Sequence, residues 1–187
     1  MTLAEIKQEA LDLNVPIISD LGLEFIKGVI QKYKYKRILE IGSGNGYSAL
    51  AFQMFSGGNV ITIEISHDSY LRCKKNLQNY SKIRIILGDA KKNIPQLKFE
   101  SFFDFIFVDA NKWEYEMYFD LVGDLLKKKG IMIFDNVLLK KENFRKKSKY
   151  EELNIKMSNF RQSVYKNQKY GSKLINIGDG FFLVKKK

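Results

Sequence analysis

Three side chains closing two apolar runs carry the most chemistry in this chain. Asp109 ends "FFDFIFVDA", while Asp135 and Asn136 end "GIMIFDNV". If those runs are adjacent parallel strands, the three side chains meet at the carboxyl edge of the sheet, where doubly wound sheets hold their ligands. Two carboxylates and an amide oxygen make a hard, oxygen-only, partly filled shell. That suits Mg²⁺, which keeps positions open for water or substrate. Taken singly, each residue is better explained as a cap on the following turn or helix; as a set they point to a metal.

A second constellation surrounds a glycine turn. In "RILEIGSGNGYSAL" (residues 37–50) the spacing is Gly42-x-Gly44-x-Gly46. A turn between a strand and a helix start offers free backbone N–H groups and the positive end of the helix dipole, which favours an anionic or carboxylate group. Spacing alone also suits a tight turn with no ligand. It is not the G-x-G-x-x-G of dinucleotide binding, and no Lys-Ser/Thr pair follows, so a triphosphate loop is excluded and a nicotinamide oxidoreductase is disfavoured. Glu64 ends "NVITIEI", 22 residues after Gly42. An acidic side chain there can accept hydrogen bonds from both ribose hydroxyls of an adenosine. Asp89 and Ala90, in "GDA", close a third run where an adenine edge would lie. With backbone contacts from Gly42, Ser43 and Gly44, these features suit an adenosyl cofactor.

Positioning those residues requires strands alternating with helices. The strands are "KRILEI" (36–41), "NVITIEI" (59–65), "KIRIILGDA", "FFDFIFVDA" (102–110) and "GIMIFDNV"; helical spacing marks "YSALAFQMF", "SYLRCKKNLQNY" and "EYEMYFDLVGDLLKK", the last ended by Gly130. Strands apolar on both faces argue for a parallel sheet covered on both sides. "SKLINIGDGFFLVKK" reads as a closing hairpin around "GDG", adding antiparallel strands at one edge. The expectation is a single α/β domain over residues 1–187 with a mostly parallel seven-stranded sheet. Residues 1–35 form a helical and extended lead-in, with "EFIKGVIQKY" helical and "NVPIISDLG" extended. Residues 138–170 form a basic insertion followed by the helix "NFRQSVYKNQ".

Composition narrows the class further. Hydrophobic residues make up 45% of the chain, which excludes disorder. No apolar run approaches ~18 residues and no secretory signal is present, so no membrane partner is expected. A single cysteine, Cys73, rules out a disulfide framework and a zinc–cysteine cluster, and implies a reducing cytoplasm. The formal charge of +11 is uneven: residues 1–137 hold 18 Lys+Arg against 17 Asp+Glu, and residues 138–187 hold 14 against 4. A polyanion such as nucleic acid is one reading of that asymmetry; codon bias toward lysine is the other.

"LEIGSGNGYSAL", "TIE" and "GDA" together resemble the cofactor motifs of class I S-adenosylmethionine-dependent methyltransferases, with a Rossmann-like fold, over most of the chain. "GYSAL" is similar to the metal-dependent O-methyltransferases of the catechol and caffeoyl-CoA group. The resemblance implies S-adenosylmethionine as cofactor, with Ser48 on its methionine carboxylate, Glu40 near its amino group and Asp109 shared between cofactor and metal. It makes Lys112, three residues after Asp109, the general base that takes the acceptor's hydroxyl proton. A homodimer is implied as well. "NVPIIS", "DANK", "DNVL" and "IGDGFFLVKK" look most like the bacterial tRNA 5-hydroxyuridine methyltransferases, although "GSGNGYS" and "DANKW" depart from that pattern. The implied acceptor is then the wobble base of a tRNA anticodon loop, with its phosphates on Lys140, Lys141, Arg145, Lys146, Lys147 and Lys149. A small catechol-like phenol offers the same pair of neighbouring oxygens, and a non-catalytic RNA-binding protein on this fold is a third reading. His67 is read as a helix cap or an adenine neighbour, Cys73 as packing, and Trp113 as lining the pocket mouth or covering the sheet.

Overall fold

The computed structural model describes residues 1–98 and 102–187. Seven strands form one sheet: β1 (Arg37–Ile41), β2 (Asn59–Glu64), β3 (Ile83–Leu87), β4 (Phe103–Val108), β5 (Leu126–Phe134), β6 (Tyr170–Ile175) and β7 (Phe181–Lys186). Their spatial order is β3-β2-β1-β4-β5-β7-β6. The first five pair in parallel, and β7 joins antiparallel to both β5 and β6. The expected mostly parallel sheet with a closing antiparallel hairpin is what the chain adopts.

Side chains alternate between two cores, as the pleat requires. Along β4, Phe105 and Phe107 face one core and Ile106 and Val108 the other; Phe103, ahead of the register shift, joins the second core. On the Phe105 side pack α1 (Leu3–Asp12), α2 (Asp20–Tyr33), α3 (Tyr47–Ser56) and α4 (His67–Leu77). The opposite face is covered by α5 (Ala90–Leu97), α6 (Tyr115–Gly123) and α7 (Lys147–Lys166). Strands buried on both faces explain the unbroken apolar runs seen in the sequence.

Three boundaries differ from the sequence reading. The helix expected to run to Gly130 ends at Gly123, and β5 starts at Leu126. Lys127, Lys128 and Lys129 are exposed on the strand's outer end; Lys127 pairs with Asp104 at 2.7 Å and Lys129 takes φ 65°. The register shifts there, between Phe103 and Phe105 of β4, so this is an irregular strand entry whose lysines imitate a helix end. The sequence reading placed no helix between β3 and β4, yet α5 forms there, with Pro95 inside it. Finally, α7 takes up most of the expected basic insertion, starting at Lys147.

The strand order reverses between β1 and β4, both of which follow crossovers to opposite faces. That reversal opens a crevice at the carboxyl ends of the strands. Gly42 leaves β1 and Asp109 leaves β4 on its two sides, so close that a Cβ on Gly42 would lie 2.1 Å from the Asp109 carbonyl oxygen. Glycine is required at that position, by the contact and by its φ of 93°. No helix among the described residues is long and apolar enough to cross a membrane.

Candidate active site

A cleft of about 680 Å³ fills the crevice. The glycine turn supplies its floor through Gly42, Ser43, Gly44 and Asn45, and Ser48 lies beside it on α3. Gly46 caps α3 in a left-handed conformation with no side-chain hydrogen bond to the helix start. The N–H groups of that first turn are therefore not claimed by a capping side chain. Glu64 leans over the same turn: Ser43 N and Gly44 N donate to its Oε2 at 3.1 and 3.0 Å, and Ser66 N donates to Oε1 at 2.8 Å. Ala90 lines the cleft, whereas Asp89 is not part of its lining. The Asp89 carboxylate instead caps α5, accepting from Lys91 N at 2.9 Å.

Glu40 lies beneath the turn and is fully buried. Thr62 Oγ1 donates to its Oε2 at 2.6 Å. Burial pushes the carboxyl up to about 7; the Ser48 and Thr62 hydroxyls act against that, and the charges of Asp109 and Glu64 add to it. Among the described residues, the buried side-chain polar atoms without a hydrogen-bond partner are Glu40 Oε1, Ser43 Oγ, Asn45 Oδ1 and Asn76 Oδ1. Three of the four belong to the glycine turn or the strand leading into it. The fourth belongs to Asn76, whose amide donates to the Asn45 carbonyl at 3.1 Å. Buried polar atoms left unpaired are costly, so this concentration fits a ligand with hydrogen-bonding groups of its own.

The roof of the cleft comes from residues 15–18, which the sequence reading treated only as an extended lead-in. Val15, Pro16, Ile17 and Ile18 all line it. Helix α1 is tied to the turn through Glu9, whose Oε2 accepts from Asn45 Nδ2 at 3.1 Å and from Asn76 Nδ2 at 2.6 Å. No motif signals this clasp, because its members are 31 to 67 residues apart.

A second cavity of about 380 Å³ adjoins the cleft. Asp109, Lys112 and Asn136 line both, and Asp135 lines the second but not the first. The structure thus brings together the four residues expected to hold a metal and move a proton. Lys112 Nζ stands 3.7 Å from Asp109 Oδ1. Asp135 Oδ1 accepts from Asn136 N at 2.6 Å. Asn136 takes a left-handed φ of 51°, a conformation asparagine tolerates better than most residues, and its side chain makes no hydrogen bond among the described residues. Desolvation raises Asp109, with Lys112 acting against it. Burial and the neighbouring Asp109 charge push Asp135 up to about 7. No group of three or more His, Cys, Asp or Glu side chains placed to hold a metal occurs among the described residues; the set here is two carboxylates and an amide. Two carboxylates facing one cavity, both raised by desolvation and Asp135 also by the Asp109 charge, beside the Asn136 amide fit a hard divalent cation that would favour their ionised forms.

Long-range contacts brace this edge. The Tyr115 hydroxyl donates to the Asp135 carbonyl at 2.7 Å, and Arg161 of α7 donates to the Val137 carbonyl at 2.8 Å. Neither role is visible in the sequence, where both residues read as helix positions. Phe144, Leu138 and Leu139 give the second cavity an apolar wall. Of the basic residues expected to meet RNA, Lys140 lines that cavity and pairs with Asp179 at 2.5 Å. Arg145, Lys146, Lys147 and Lys149 are exposed, with Lys147 3.5 Å from Glu151. Lys141 belongs to a short 3₁₀ turn before α7. His67 opens α4 and is exposed, and Trp113 is partly exposed with the Lys156 ammonium over its ring. Cys73 is buried beneath Gly46.

A crevice at the β1/β4 reversal, a glycine turn under an acidic strand end and a seven-stranded sheet closed by an antiparallel hairpin define the Rossmann-like methyltransferase architecture. The chain belongs to the O-methyltransferase family, whose profile matches residues 2–187. It is 30% identical to the caffeoyl-CoA O-methyltransferase of Stellaria longipes over 129 residues, 64% of this chain and 54% of that one. The chain spans about half the length of some curated relatives it matches, 49% for one from Dictyostelium discoideum, and 84% of another from the same organism. Among solved structures, a caffeoyl-CoA O-methyltransferase-like protein from Staphylococcus aureus superposes with a TM-score of 0.89 at 29% identity, covering 100% of this chain and 93% of that one. A Podospora anserina methyltransferase bound to S-adenosylhomocysteine gives 0.86 at 25% identity, covering 99% and 87%.

Proposed function

We propose that this chain is an S-adenosylmethionine- and Mg²⁺-dependent O-methyltransferase acting on 5-hydroxyuridine at the wobble position of tRNA. The observation that carries the reading is the wall of Asp109, Lys112 and Asn136 shared by the two cavities. It lets a methyl donor in one cavity and an acceptor hydroxyl in the other meet across a cation site. When bound, S-adenosylmethionine would supply an electrophilic methyl group and Mg²⁺ would acidify an acceptor hydroxyl.

The chain's own residues do the rest. Glu64, held in place by the Ser43 and Gly44 amides, orients the adenosyl portion, and Glu40 Oε1 offers an unpaired acceptor for an amino group. Asp109, Asp135 and the Asn136 amide are the residues that would hold Mg²⁺. Lys112 Nζ, in its neutral amine form, would take the acceptor's proton. Val15, Pro16, Ile17, Ile18 and Phe144 give the two cavities apolar walls, and positioning supplies most of the rate.

The tRNA acceptor is supported by the exposed basic segment at Arg145, Lys146, Lys147 and Lys149, which follows directly on the acceptor-cavity residues Asn143 and Phe144. The phenolic acceptor named in the caffeoyl-CoA relatives favours the second reading, a small catechol-like substrate. The test incubates the protein with labelled S-adenosylmethionine, Mg²⁺ and tRNA from a strain lacking its own enzyme, and reads nucleosides by mass. Appearance of 5-methoxyuridine supports the proposal. Label on a free catechol, with none in hydroxyuridine-containing tRNA, would replace it with the second reading.

A further inference from the structure

The turn between β6 and β7 does more than reverse the chain. Its sequence is Gly178-Asp179-Gly180, and both glycines have positive φ, 58° and 82°. A Cβ on Gly180 would lie 2.5 Å from Leu138 Cγ, so the turn packs directly on the segment that follows β5, the strand ending in Asp135 and Asn136. Val137 N donates to the Gly180 carbonyl at 3.0 Å and Leu138 N to the Asp179 carbonyl at 2.8 Å. These contacts fix the Asp179 backbone relative to Asp135 and Asn136. The Asp179 side chain lines the acceptor cavity, and it also lines a smaller one of about 200 Å³ beside Asp135 and Asn136. Its Oδ1 is engaged by Lys140 Nζ at 2.5 Å. Its Oδ2 makes no hydrogen bond among the described residues.

We propose that Asp179 is a specificity-determining residue whose carboxylate accepts a ring N–H of the acceptor, so that the cavity selects a nitrogen heterocycle over a carbocyclic phenol. The inference rests on the O-methyltransferase reading of this cavity and narrows its substrate class. A ring bound through two neighbouring oxygens presents the bond next to those oxygens to the remaining wall. In a hydroxypyrimidinone or hydroxypyridinone that position is an N–H beside the chelating carbonyl; in a catechol it is a C–H. A C–H edge would cover the carboxylate without replacing the water it displaces, whereas an N–H edge makes a charge-assisted hydrogen bond. Sites built around such a bond reject the analogue lacking the donor more strongly than apolar pockets reject a changed methylene. The Lys140–Asp179 pair is partly exposed, with side chains 51% and 33% accessible. An ion pair of that kind contributes little to stability, so its removal leaves the fold in place. Lys140 orients the carboxylate and leaves the second oxygen for the acceptor.

The experiment compares two acceptors of nearly equal shape, 3-hydroxypyridin-2(1H)-one and catechol, with a hydroxyuridine-containing anticodon RNA alongside. Wild type is expected to prefer the pyridinone by at least about tenfold in kcat/KM. Asp179→Ala lowers turnover of the pyridinone and the RNA by about 10- to 100-fold, leaves catechol within a few-fold, and does not change affinity for S-adenosylmethionine. Asp179→Asn, which keeps an acceptor oxygen, recovers part of the loss. Equal falls on all acceptors, or no fall on the pyridinone, would overturn the role of Asp179 while leaving the methyltransferase reading intact. Transfer to catechol and pyridinone but never to hydroxyuridine would overturn the tRNA reading and leave Asp179 to be judged on the small rings. Absence of transfer to all three would remove both.

Discussion

Replacing Glu40 with Gln isolates the buried carboxyl beneath the glycine turn. The group is wholly inaccessible, holds one hydrogen bond from Thr62 and has one oxygen without a partner. Burial lifts its pKa from 4.5 to about 7. Between those values the folded chain keeps a proton that the unfolded chain has released. Stability from this group is therefore greatest below pH 4.5, falls as the pH rises toward 7, and is level above it. The span, with each pH unit worth about 1.4 kcal/mol, amounts to roughly 3 kcal/mol. Asp135, also lifted to about 7, and Asp109, raised as well, slope the same way, so the test is that the Glu40→Gln curve falls by one proton's worth less than the wild-type curve between pH 5 and 7. Absolute stability at pH 8 is a poorer readout, because the new amide N–H is left without a partner at a cost of about 1–3 kcal/mol.

Urea denaturation at pH 5, 6, 7 and 8 measures the difference in slope. A cofactor amino group placed against Oε1 would favour the ionised carboxylate. Affinity for S-adenosylmethionine should then rise with pH through about 7 in wild type and lose that dependence in Glu40→Gln. Parallel stability curves for the two proteins would refute the assignment of a raised pKa to Glu40. Parallel affinity profiles would refute its place beside the cofactor.

Other perturbations separate the remaining parts of the site. Mg²⁺ should raise the melting temperature more at pH 8 than at pH 6, since Asp135 must lose its proton to bind a cation, and Asp109→Asn or Asp135→Asn should abolish the shift in a thermal scan. Gly42→Ala, with a Cβ 2.1 Å from a backbone oxygen, should cost more than about 3 kcal/mol, whereas Gly28→Ala, in the middle of α2 with nothing within 4 Å, should gain roughly 0.5–1 kcal/mol in the same denaturation assay. Tyr115→Phe strips a hydrogen bond from the Asp135 carbonyl and should destabilise by about 1–2 kcal/mol, with Mg²⁺ affinity falling in parallel by calorimetry. Replacing Arg145, Lys146 and Lys149 together with Ala should weaken tRNA binding and flatten its salt dependence by about 0.7–0.9 for each phosphate no longer neutralised, leaving transfer to a small acceptor unchanged; an unaltered salt slope would assign that charge to the surface alone.

What the sequence made legible was whatever is local or periodic. Strands buried on both faces show as apolar runs, and strand-end residues such as Glu64, Asp109 and Asp135 announce themselves by following those runs. Errors arose where local composition imitates another element. Lys127, Lys128 and Lys129 look like a helix end, but they sit on the exposed outer part of β5, between the flanking pairs Phe103–Leu126 and Phe105–Ile131 with β4, and Lys127 forms an ion pair with Asp104. Likewise Pro95 disguises α5. Asp89 fits a motif, yet its carboxylate is engaged by the start of α5. Glu9, Arg161 and Asp179 could not be seen at all, because each touches a segment distant in sequence: the glycine turn, the end of β5 and the segment from Leu138 to Lys140.

The topology explains why one wall can serve two ligands. Crossovers to opposite faces open a crevice at the β1/β4 boundary on the carboxyl edge, and Gly42 lets the two chain segments approach to backbone contact there. A donor seated on the β1 side must then lie against whatever β4 presents, which is Asp109 followed by Lys112. An acceptor seated on the β5 side meets the same residues from behind, together with Asp135 and Asn136. On the proposed reading, cation, base and methyl donor would be brought together by strand order, and acceptor choice would fall to Leu138, Leu139, Lys140, Asn143, Phe144 and the hairpin turn, which wall the second cavity. Exchanging that segment and turn between relatives should therefore change the acceptor while leaving S-adenosylmethionine affinity within a few-fold. A change in cofactor affinity as large as the change in acceptor preference would show that the two cavities are not separable in this way.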